Sequence, residues 1–564
     1  MIRHHPNEIE MQEILALPIG SNKRKALFTK LRNLGNFVVS SISDQIVPVK
    51  KPTSEHSPLD RKNYLPCKFC KGFYKRKYLR IHLKKCLVRN GAEYSGNTQS
   101  DGQSLLSRFI YTSLVRKEVF PIMRADEISL VAKCDTLICS VGERYLKSHR
   151  DKQFRVVASR KMRQLATLLI EIKKKIQVRN LFDALCPENF ETIIICTKLI
   201  AKYDEVREIY AAPSLAANIG TLLKDAIDVA HLSCLKSKNT SKIEQLKSLK
   251  DLVVSEWRYE VSTVANHNLE QNRWNKPSLV PLAEDLITLR KFLINEGNRC
   301  ISTLNADADN AMCFKKLQEI LFVQLILLNR RRVGELQRMT LENYLKNINK
   351  ELSSEYVSCL TESEKCLTSS FKRIVIRGKR GRGVPVLFTE KMVSDINILI
   401  NLRNKFVTTP NIYLFASTKS GNSITGSNII YRYVRLAGVK NPSAISSTKL
   451  RKHLATISQV VNLSEQDMDQ LATFMGHTTN IHKNFYRLPN DVFQTAKISK
   501  LLLLSEKGKL LNYKGKRLHE IDINLCASED ELGDESEEEN VLEIASTSEK
   551  HAVTPNPVSV DFIY

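Results

Sequence analysis

The sequence predicts a mainly α-helical protein that contains one short β-hairpin and one small metal-binding module. Apolar residues recur three and four positions apart over long stretches, which is the period of a helix with one buried face. Two strand-like segments separated by glycines interrupt this pattern once. Three cysteines and a histidine lie close together with the spacing of metal ligands. Helices therefore define the fold class.

The chain is large and strongly basic. Its 564 residues are enough for several domains, and 42% apolar with 26% charged residues is an ordinary globular composition. The net charge is +26, although residues 520–564 contain 13 acidic side chains and only one basic one, Lys550. The rest of the chain is more basic than the whole, which favours nucleic acid over a membrane surface as the partner. No apolar run is long enough to cross a membrane, so we expect no membrane association.

Composition defines three segments of the first half of the chain. Residues 1–60 are predicted to form a basic helical segment and a Pro/Ser/Lys-rich connector. Residues 89–104 are rich in Gly, Asn, Ser and Gln, which predicts a linker. Residues 105–300 are predicted to be an all-helical domain. The apolar stripes that predict its helices are Leu165, Leu168, Leu169 and Ile172, and Leu282, Leu286, Leu289 and Leu293.

The metal-binding module spans residues 65–88. Cys67 and Cys70 lie on one turn, and His82 and Cys86 lie one helical turn apart, so the four side chains can converge on a tetrahedral Zn²⁺. The segment resembles a zinc finger of the Cys-Cys-His-Cys kind. Because its interior is rich in Lys and Arg, we expect it to grip DNA phosphates. A finger that binds another protein is the alternative.

The predicted hairpin lies inside a second helical region, residues 301–505. Its strands contain Ile374–Ile376 and Val384–Phe388, and Gly378 and Gly381 lie between them, as expected of a hairpin with a glycine-rich tip. The stretch before the first strand, at about residues 346–370, is rich in Ser, Glu and Lys, which predicts a surface insertion.

A basic motif follows an apolar run in this region. On a helix, Glu335 lies one turn from Arg332, so its carboxylate could hold that guanidinium rigid while it points into a site. The alternative is a solvated basic face.

Further motifs follow Arg332 in a fixed order: Lys379 at the hairpin tip, Arg451, the Gly476-His477 pair, and Tyr486 nine residues after that histidine. Together they resemble the tyrosine recombinase (phage-integrase-like, DNA breaking-rejoining) family. That family has an Arg in an Arg-x-x-Glu-Leu motif, a hairpin Lys, a His-x-x-Arg motif, a Gly-His pair and a downstream Tyr. The resemblance covers about residues 305–500, and the overall likeness is nearest to Crypton-type recombinases of eukaryotic mobile elements. The matching residues are Arg332, Lys379, Arg451, His477 and Tyr486.

The resemblance implies a helical core-binding-like domain followed by an α-helical catalytic domain that cleaves and rejoins double-stranded DNA. Arg332 and Arg451 would clamp the phosphate, and Tyr486 would attack it to form a 3′-phosphotyrosyl bond. Lys379 would protonate the departing oxygen, with Arg380 and Arg382 as rivals. No catalytic metal or nucleotide would be needed.

His477 would hydrogen-bond the transition-state oxygen or assist Tyr486, with a buried structural histidine as the alternative. One position departs from the family pattern, because Thr448 stands where a His is common and cannot act as an acid or base near neutral pH. This favours a rival hypothesis. The protein would be a mobile-element recombinase captured by its host that keeps the fold but serves as a catalytically inactive DNA-binding or regulatory protein. A zinc-finger transcription factor with an unrelated helical body is a third.

The C-terminal segments suggest assembly. Residues 492–504 look helical, and a comparable helix packs on a neighbouring subunit in the family, so we expect a homo-oligomer on DNA; packing within one chain is the alternative. Residues 520–564 carry too much negative charge to fold alone. The finger and the basic stretches favour location in the nucleus.

Overall fold

The computed structural model describes residues 8–42, 63–89, 96–106, 113–272, 281–350, 357–378, 381–460, 464–476, 499–506 and 513–514. The chain forms two compact units, Met1–Lys276 and Pro277–Tyr564. Helices dominate both, and the strands of the described residues pair into three two-stranded antiparallel sheets. The prediction of a mainly α-helical fold is confirmed. None of the described helices is long and apolar enough to span a membrane.

The first unit begins with two helices and a small module of two strands and a helix. These are Ile9–Leu15 (α1), Asn22–Ile42 (α2), Tyr64–Pro66 (β1), Phe73–Lys75 (β2) and Arg76–Lys85 (α3). Strands β1 and β2 pair with Leu65 opposite Tyr74. Helix α3 buries Leu79 and Leu83 and turns its basic residues outward, so the module has a very small apolar core of its own.

The second half of the segment predicted to be a linker, residues 89–104, belongs to a docked helix (α4, Thr98–Leu105). The Asn97 side chain caps it by accepting hydrogen bonds from two backbone N–H groups. Gly102 lies so close to β1 that a Cβ atom there would be 2.5 Å from the Pro66 carbonyl oxygen. The small and polar residues that suggested a flexible linker therefore allow close packing instead.

The rest of the first unit is a helical bundle with one small hairpin. Its core includes the stripe from Leu165 to Ile172, which is buried as its spacing predicts. The hairpin Tyr203–Asp204 (β3) and Ile209–Tyr210 (β4) departs from the all-helical prediction, because Asp204 accepts hydrogen bonds from the N–H groups of its own turn. The helices are Glu127–Cys134 (α5), Thr136–Ser148 (α6), Phe154–Lys175 (α7), Leu181–Ala184 (α8), Phe190–Ile200 (α9), Pro213–Ser237 (α10), Thr240–Ser255 (α11) and Thr263–Gln271 (α12).

The second unit surrounds a strongly apolar helix, Ala311–Asn329 (α14), which packs on Ala283–Ala306 (α13). Helix α13 runs unbroken through the predicted boundary at residues 300/301, because Leu289, Leu293 and Leu304 on one of its faces are buried in the core that it shares with α14. The unit boundary lies earlier, at residues 276/277. The remaining helices are Val333–Leu336 (α15), Leu341–Asn347 (α16), Glu362–Ser370 (α17), Glu390–Phe406 (α18), Gly426–Leu436 (α19), Ser447–Val460 (α20), Glu465–Phe474 (α21) and Ser499–Glu506 (α22).

The predicted hairpin is present as Phe371–Arg377 (β5) and Gly383–Thr389 (β6), with Ile374 opposite Val386. Gly381 has a φ of +75°, which favours glycine at the tip. Helix α17, in the predicted surface insertion, buries none of its residues and is held by a capping box between Thr361 and Glu364.

Candidate active site and metal-binding cluster

Arg332 is held by a buried carboxylate. It lies in extended conformation directly before α15, and its Nη1 donates a hydrogen bond to Glu335 Oε1 at 2.8 Å. The Glu335 side chain is only 2% exposed, whereas that of Arg332 is 27% exposed. The helix is a single turn that begins after Arg332, so the expected contact with Glu335 forms although Arg332 precedes the helix and does not lie on it. The guanidinium is thereby fixed and still reaches solvent.

Arg451 reaches the same place from a distant part of the sequence. It lies in the first turns of α20, is 3% exposed, and donates from Nη2 to the Met475 carbonyl oxygen at 3.3 Å. The contact fixes the side chain to the turn that follows α21.

One cavity of about 690 Å³ contains both arginines and Thr448. Its walls come from α15, α19, α20 and the segment before α20, and they are rich in hydroxyl groups. Among the described residues that line it, none is acidic, so the charged groups at its wall are cationic and suit an anion. The lining residues are Arg332, Val333, Ser427, Ile430, Tyr431, Pro442, Ser443, Ile445, Ser446, Ser447, Thr448 and Arg451.

The glycine of the Gly-His pair also lies at this place. Gly476 has a φ of +71°, and a Cβ there would be 3.7 Å from Arg332 Nη1 and 3.3 Å from a methyl group of Val384 on β6. The backbone that leads into His477 is therefore packed against the first arginine and the hairpin. His477, Tyr486 and Lys379, with its rival Arg380, lie outside the described residues.

Arg331, which none of the sequence motifs singles out, lies buried beside the candidate site. It is 1% exposed and its Cζ lies 4.0 Å from the centroid of the Phe474 ring. Its Nη2 donates to the Pro385 carbonyl oxygen on β6, and its own carbonyl accepts from Ser447 Oγ at 2.7 Å. It thus joins the hairpin to α20 and α21. The sequence signal was the run of three arginines directly after a buried helix.

Burial sets the electrostatics of this arginine. It lowers the pKa of Arg331 to about 9; Glu335 opposes the shift, and the charges of Arg451 and Arg332 add to it. Its buried Nε and Nη1 find no hydrogen-bond partner among the described residues. A solvated basic face, the alternative for this motif, is therefore wrong for Arg331.

The four predicted metal ligands converge in the first unit. One ligand atom from each of Cys67, Cys70, His82 and Cys86 lies within 4.8 Å of all the others, and the three cysteines are buried. Tetrahedral Zn²⁺ with metal–sulfur bonds of about 2.3 Å needs sulfur atoms about 3.8 Å apart, so the side chains are close to that arrangement. A set of three thiols and one imidazole fits such an ion.

Local contacts position these ligands. The Cys67 N–H donates to the Gly72 carbonyl oxygen at 2.9 Å across the turn, and the Tyr74 ring stacks on His82 with centroids 3.7 Å apart. Cys70 Sγ lies 3.4 Å from His82 Nε2. Hydrogen bonding by the Cys67 thiol, reinforced by His82 against the effect of burial, holds the pKa of Cys70 well below its usual range. A thiolate, the form that binds metal, is thus favoured at Cys70.

Comparison with known proteins finds similarity to solved structures at low sequence identity. No protein-family model and no curated protein matches this chain. Among solved structures, XerH site-specific recombinase bound to palindromic difH substrate in a post-cleavage complex is 13% identical, with a TM-score of 0.30 over 66% of this chain and 96% of that chain. Its pre-cleavage complex is 12% identical, with a TM-score of 0.29 over 64% and 95%. XerA recombinase is 14% identical, with a TM-score of 0.23 over 65% and 98%. A function for this chain must therefore rest on its own residues.

Proposed function

We propose that the second unit cleaves and rejoins double-stranded DNA as a tyrosine recombinase. The observation that carries the proposal is the cavity in which Arg332 and Arg451 meet, with Gly476 packed against Arg332. Two guanidiniums at one anion-sized site can bind both non-bridging oxygens of a phosphodiester with charge-assisted hydrogen bonds. These bonds strengthen as charge develops on the oxygens in the transition state.

The chemistry is a pair of reversible phosphoryl transfers. The Tyr486 oxygen attacks phosphorus as its phenol proton passes to His477 or to water, and the bond to the 5′-oxygen breaks, which leaves a 3′-phosphotyrosyl bond and a free 5′-hydroxyl. Lys379 gives the proton that the 5′-oxygen takes up, and His477 hydrogen-bonds the transition-state oxygen or assists Tyr486. Attack by a 5′-hydroxyl reverses these steps and rejoins the strand, so the energy of the broken linkage is conserved.

We further propose that the first unit adds a DNA-binding zinc finger. Zn²⁺ would be held by Cys67, Cys70, His82 and Cys86 and would complete the small core between β1, β2 and α3. The exposed cations of α3, among them Lys77, Arg80 and Lys84, would contact phosphates. A protein-binding finger predicts the same metal site but no loss of DNA affinity when these cations are removed.

Assembly and location complete the proposal. The protein would act as a homo-oligomer on DNA in the nucleus, with its nearest relatives among Crypton-type recombinases. Its basic surface, and the finger in particular, support the DNA partner. Size-exclusion chromatography with and without a DNA duplex tests the oligomer.

A second candidate function has its own supporting observation. Thr448 is exposed at the cavity, where it offers a hydroxyl group but no acid or base. A captured protein that binds DNA without cleaving it would tolerate this residue. It would keep the positive cavity as an anion-binding site.

Covalent trapping distinguishes the two. The full chain is incubated with duplexes of random sequence that carry a nick. Cleavage near the nick releases a short fragment with a 5′-hydroxyl, and because this fragment dissociates, the strand cannot be rejoined. Protein–DNA adducts are then separated under denaturing conditions. Tyrosine recombination predicts an adduct with the wild type and none with Tyr486→Phe. Sequencing the trapped strands gives the target. Equal yields from the two proteins, or no adduct with the wild type, would overturn the proposal.

A further inference from the structure

The exposed face of α19 borders the arginine cavity. Ser427 and Tyr431, one turn apart on this helix, both line the cavity. Tyr431 is 60% exposed, whereas Ile430 and Tyr433 beside it are buried in the core of the unit. The same face continues one turn further to Arg435, which is also exposed. The cavity wall thus continues into a polar helix face that is open to solvent.

Tyr431 and Arg435 form a preorganised pair. Arg435 Nη1 donates to the Tyr431 hydroxyl oxygen at 2.9 Å, and the guanidinium carbon lies 5.3 Å from the ring centroid. Because the phenol oxygen accepts this hydrogen bond, its own hydrogen is directed to another acceptor. Among the described residues none accepts it. A phenol held in this way offers one hydrogen-bond donor at the cavity mouth.

The two arginines of this helix differ in whether a carboxylate compensates their charge. Arg432 Nη2 donates to the carboxylate of Glu319, so its charge is compensated within the protein. Arg435 has no carboxylate partner in the part of the chain that the structure describes. Its charge is therefore available to an anion that approaches the cavity, and its contact with Tyr431 places the phenol beside that anion.

We propose that Tyr431 is a positioning residue that donates a hydrogen bond to a DNA phosphate next to the one bound by Arg332 and Arg451. Arg435 fixes the phenol and adds charge to the same contact. This inference rests on the proposed function of the cavity as a DNA site. It assigns to Tyr431 a role in holding the strand, distinct from the covalent attack assigned to Tyr486.

The test compares Tyr431→Phe with the wild type in the full chain. The variant keeps the ring and loses only an exposed hydroxyl, so its thermal unfolding midpoint should be unchanged. We expect its affinity for a labelled duplex of random sequence to fall on the order of tenfold, the effect of one hydrogen bond to a charged acceptor. The salt dependence of binding should stay the same, because no charge is lost.

Two further variants sharpen the result. Arg435→Gln should lower affinity and reduce the slope of log affinity against log salt by about one, since one phosphate contact is removed. Tyr259→Phe is the matched control, because Tyr259 is 72% exposed in the first unit. Its affinity for DNA should equal that of the wild type.

The outcomes separate this inference from the proposed function. Equal affinities of Tyr431→Phe and wild type would overturn the role of Tyr431, whether or not the protein cleaves DNA. If the wild type forms no adduct while Tyr431→Phe binds more weakly, the recombinase proposal fails and Tyr431 is retained as a DNA contact. An adduct lost in Tyr431→Phe but retained in Tyr486→Phe would make Tyr431 the nucleophile and would overturn both assignments.

Discussion

The metal-ligand cluster is built from residues that lie close together in the sequence, whereas the arginine cavity is built from residues that lie far apart in it. The four ligands of the cluster come from one hairpin, the helix that follows it and the residue that ends this helix. The cavity joins segments that are distant in sequence, and a buried core holds them together. The cluster should therefore depend on a few local residues, whereas the cavity depends on the packing of its whole unit.

We expect the largest effect of a single substitution at the metal-ligand cluster, whose residues are closest together in the sequence. Cys70→Ser removes a thiolate from the cluster and should abolish stoichiometric zinc binding, because structural zinc contributes on the order of 10 kcal/mol to such modules. Atomic spectroscopy of the purified protein measures the metal content, and circular dichroism follows the loss of α3.

Cys359→Ser is the matched control for that change, since Cys359 is exposed and lies in the second unit. It should retain the zinc content of the wild type. Full zinc occupancy in Cys70→Ser would show that the cluster is not the metal site.

We also expect a large loss of stability from a substitution beside the cavity, although it only exchanges a carboxylate oxygen for an amide nitrogen. Glu335→Gln keeps the shape of the side chain but removes the buried negative charge that Arg332 and Arg331 share. Breaking a buried ion pair typically costs about 3–5 kcal/mol, so urea denaturation should show a loss of that order.

The exposed Glu342 on α16 provides the comparison for Glu335. Glu342→Gln should change the free energy of unfolding by less than about 0.5 kcal/mol. Similar small changes in both variants would mean that the carboxylate of Glu335 does not organise the arginines.

We expect a smaller change in stability, and one that depends on pH, in the first unit, where Lys133 joins α4 to α5. Its Nζ lies 3.2 Å from Ser100 Oγ, and burial lowers its pKa to about 8 from 10.5. Between these two pH values the unfolded chain binds more protons than the folded one, so stability rises with pH.

This linkage is tested by comparing the wild type with Lys133→Met in urea denaturation at several pH values. From pH 8 to 10.5 the wild type should gain about 2–3 kcal/mol relative to the variant. Parallel pH profiles would contradict the lowered pKa.

The smallest effect is expected at Thr448. Thr448→Val keeps the shape and removes the hydroxyl, which should slow adduct formation several-fold, the value of about 1 kcal/mol for one hydrogen bond. Single-turnover trapping measures the rate. A loss of a hundredfold or more would give Thr448 a larger part in the chemistry than its hydroxyl suggests.

Sequence separation also explains which features of the structure can be predicted from the sequence. The ligand set, the helical stripe from Leu165 to Ile172 and the hairpin β5–β6 follow from local spacing, and all are present. The sequence does not predict the docking of α4, because Gly102 allows close packing there and a glycine in the sequence indicates close packing and flexibility equally well.

The burial of Arg331 was missed for a related reason. Local sequence places three arginines after α14, but only the packing of Pro385 and Phe474 around the second one decides which is buried. Long-range packing of this kind leaves no periodic signal in the sequence.

We expect Arg332 and Arg451 to act on one phosphate, and a double-mutant cycle on the rate of covalent trapping tests whether they do. Arg332→Lys and Arg451→Lys keep the charge but lose the paired donors of the guanidinium, so each should slow adduct formation at saturating DNA. Since both arginines serve one transition state, the double variant should be much less impaired than the product of the two single losses. Losses that multiply independently, or single variants as fast as the wild type, would show that the two arginines do not act together on one phosphate.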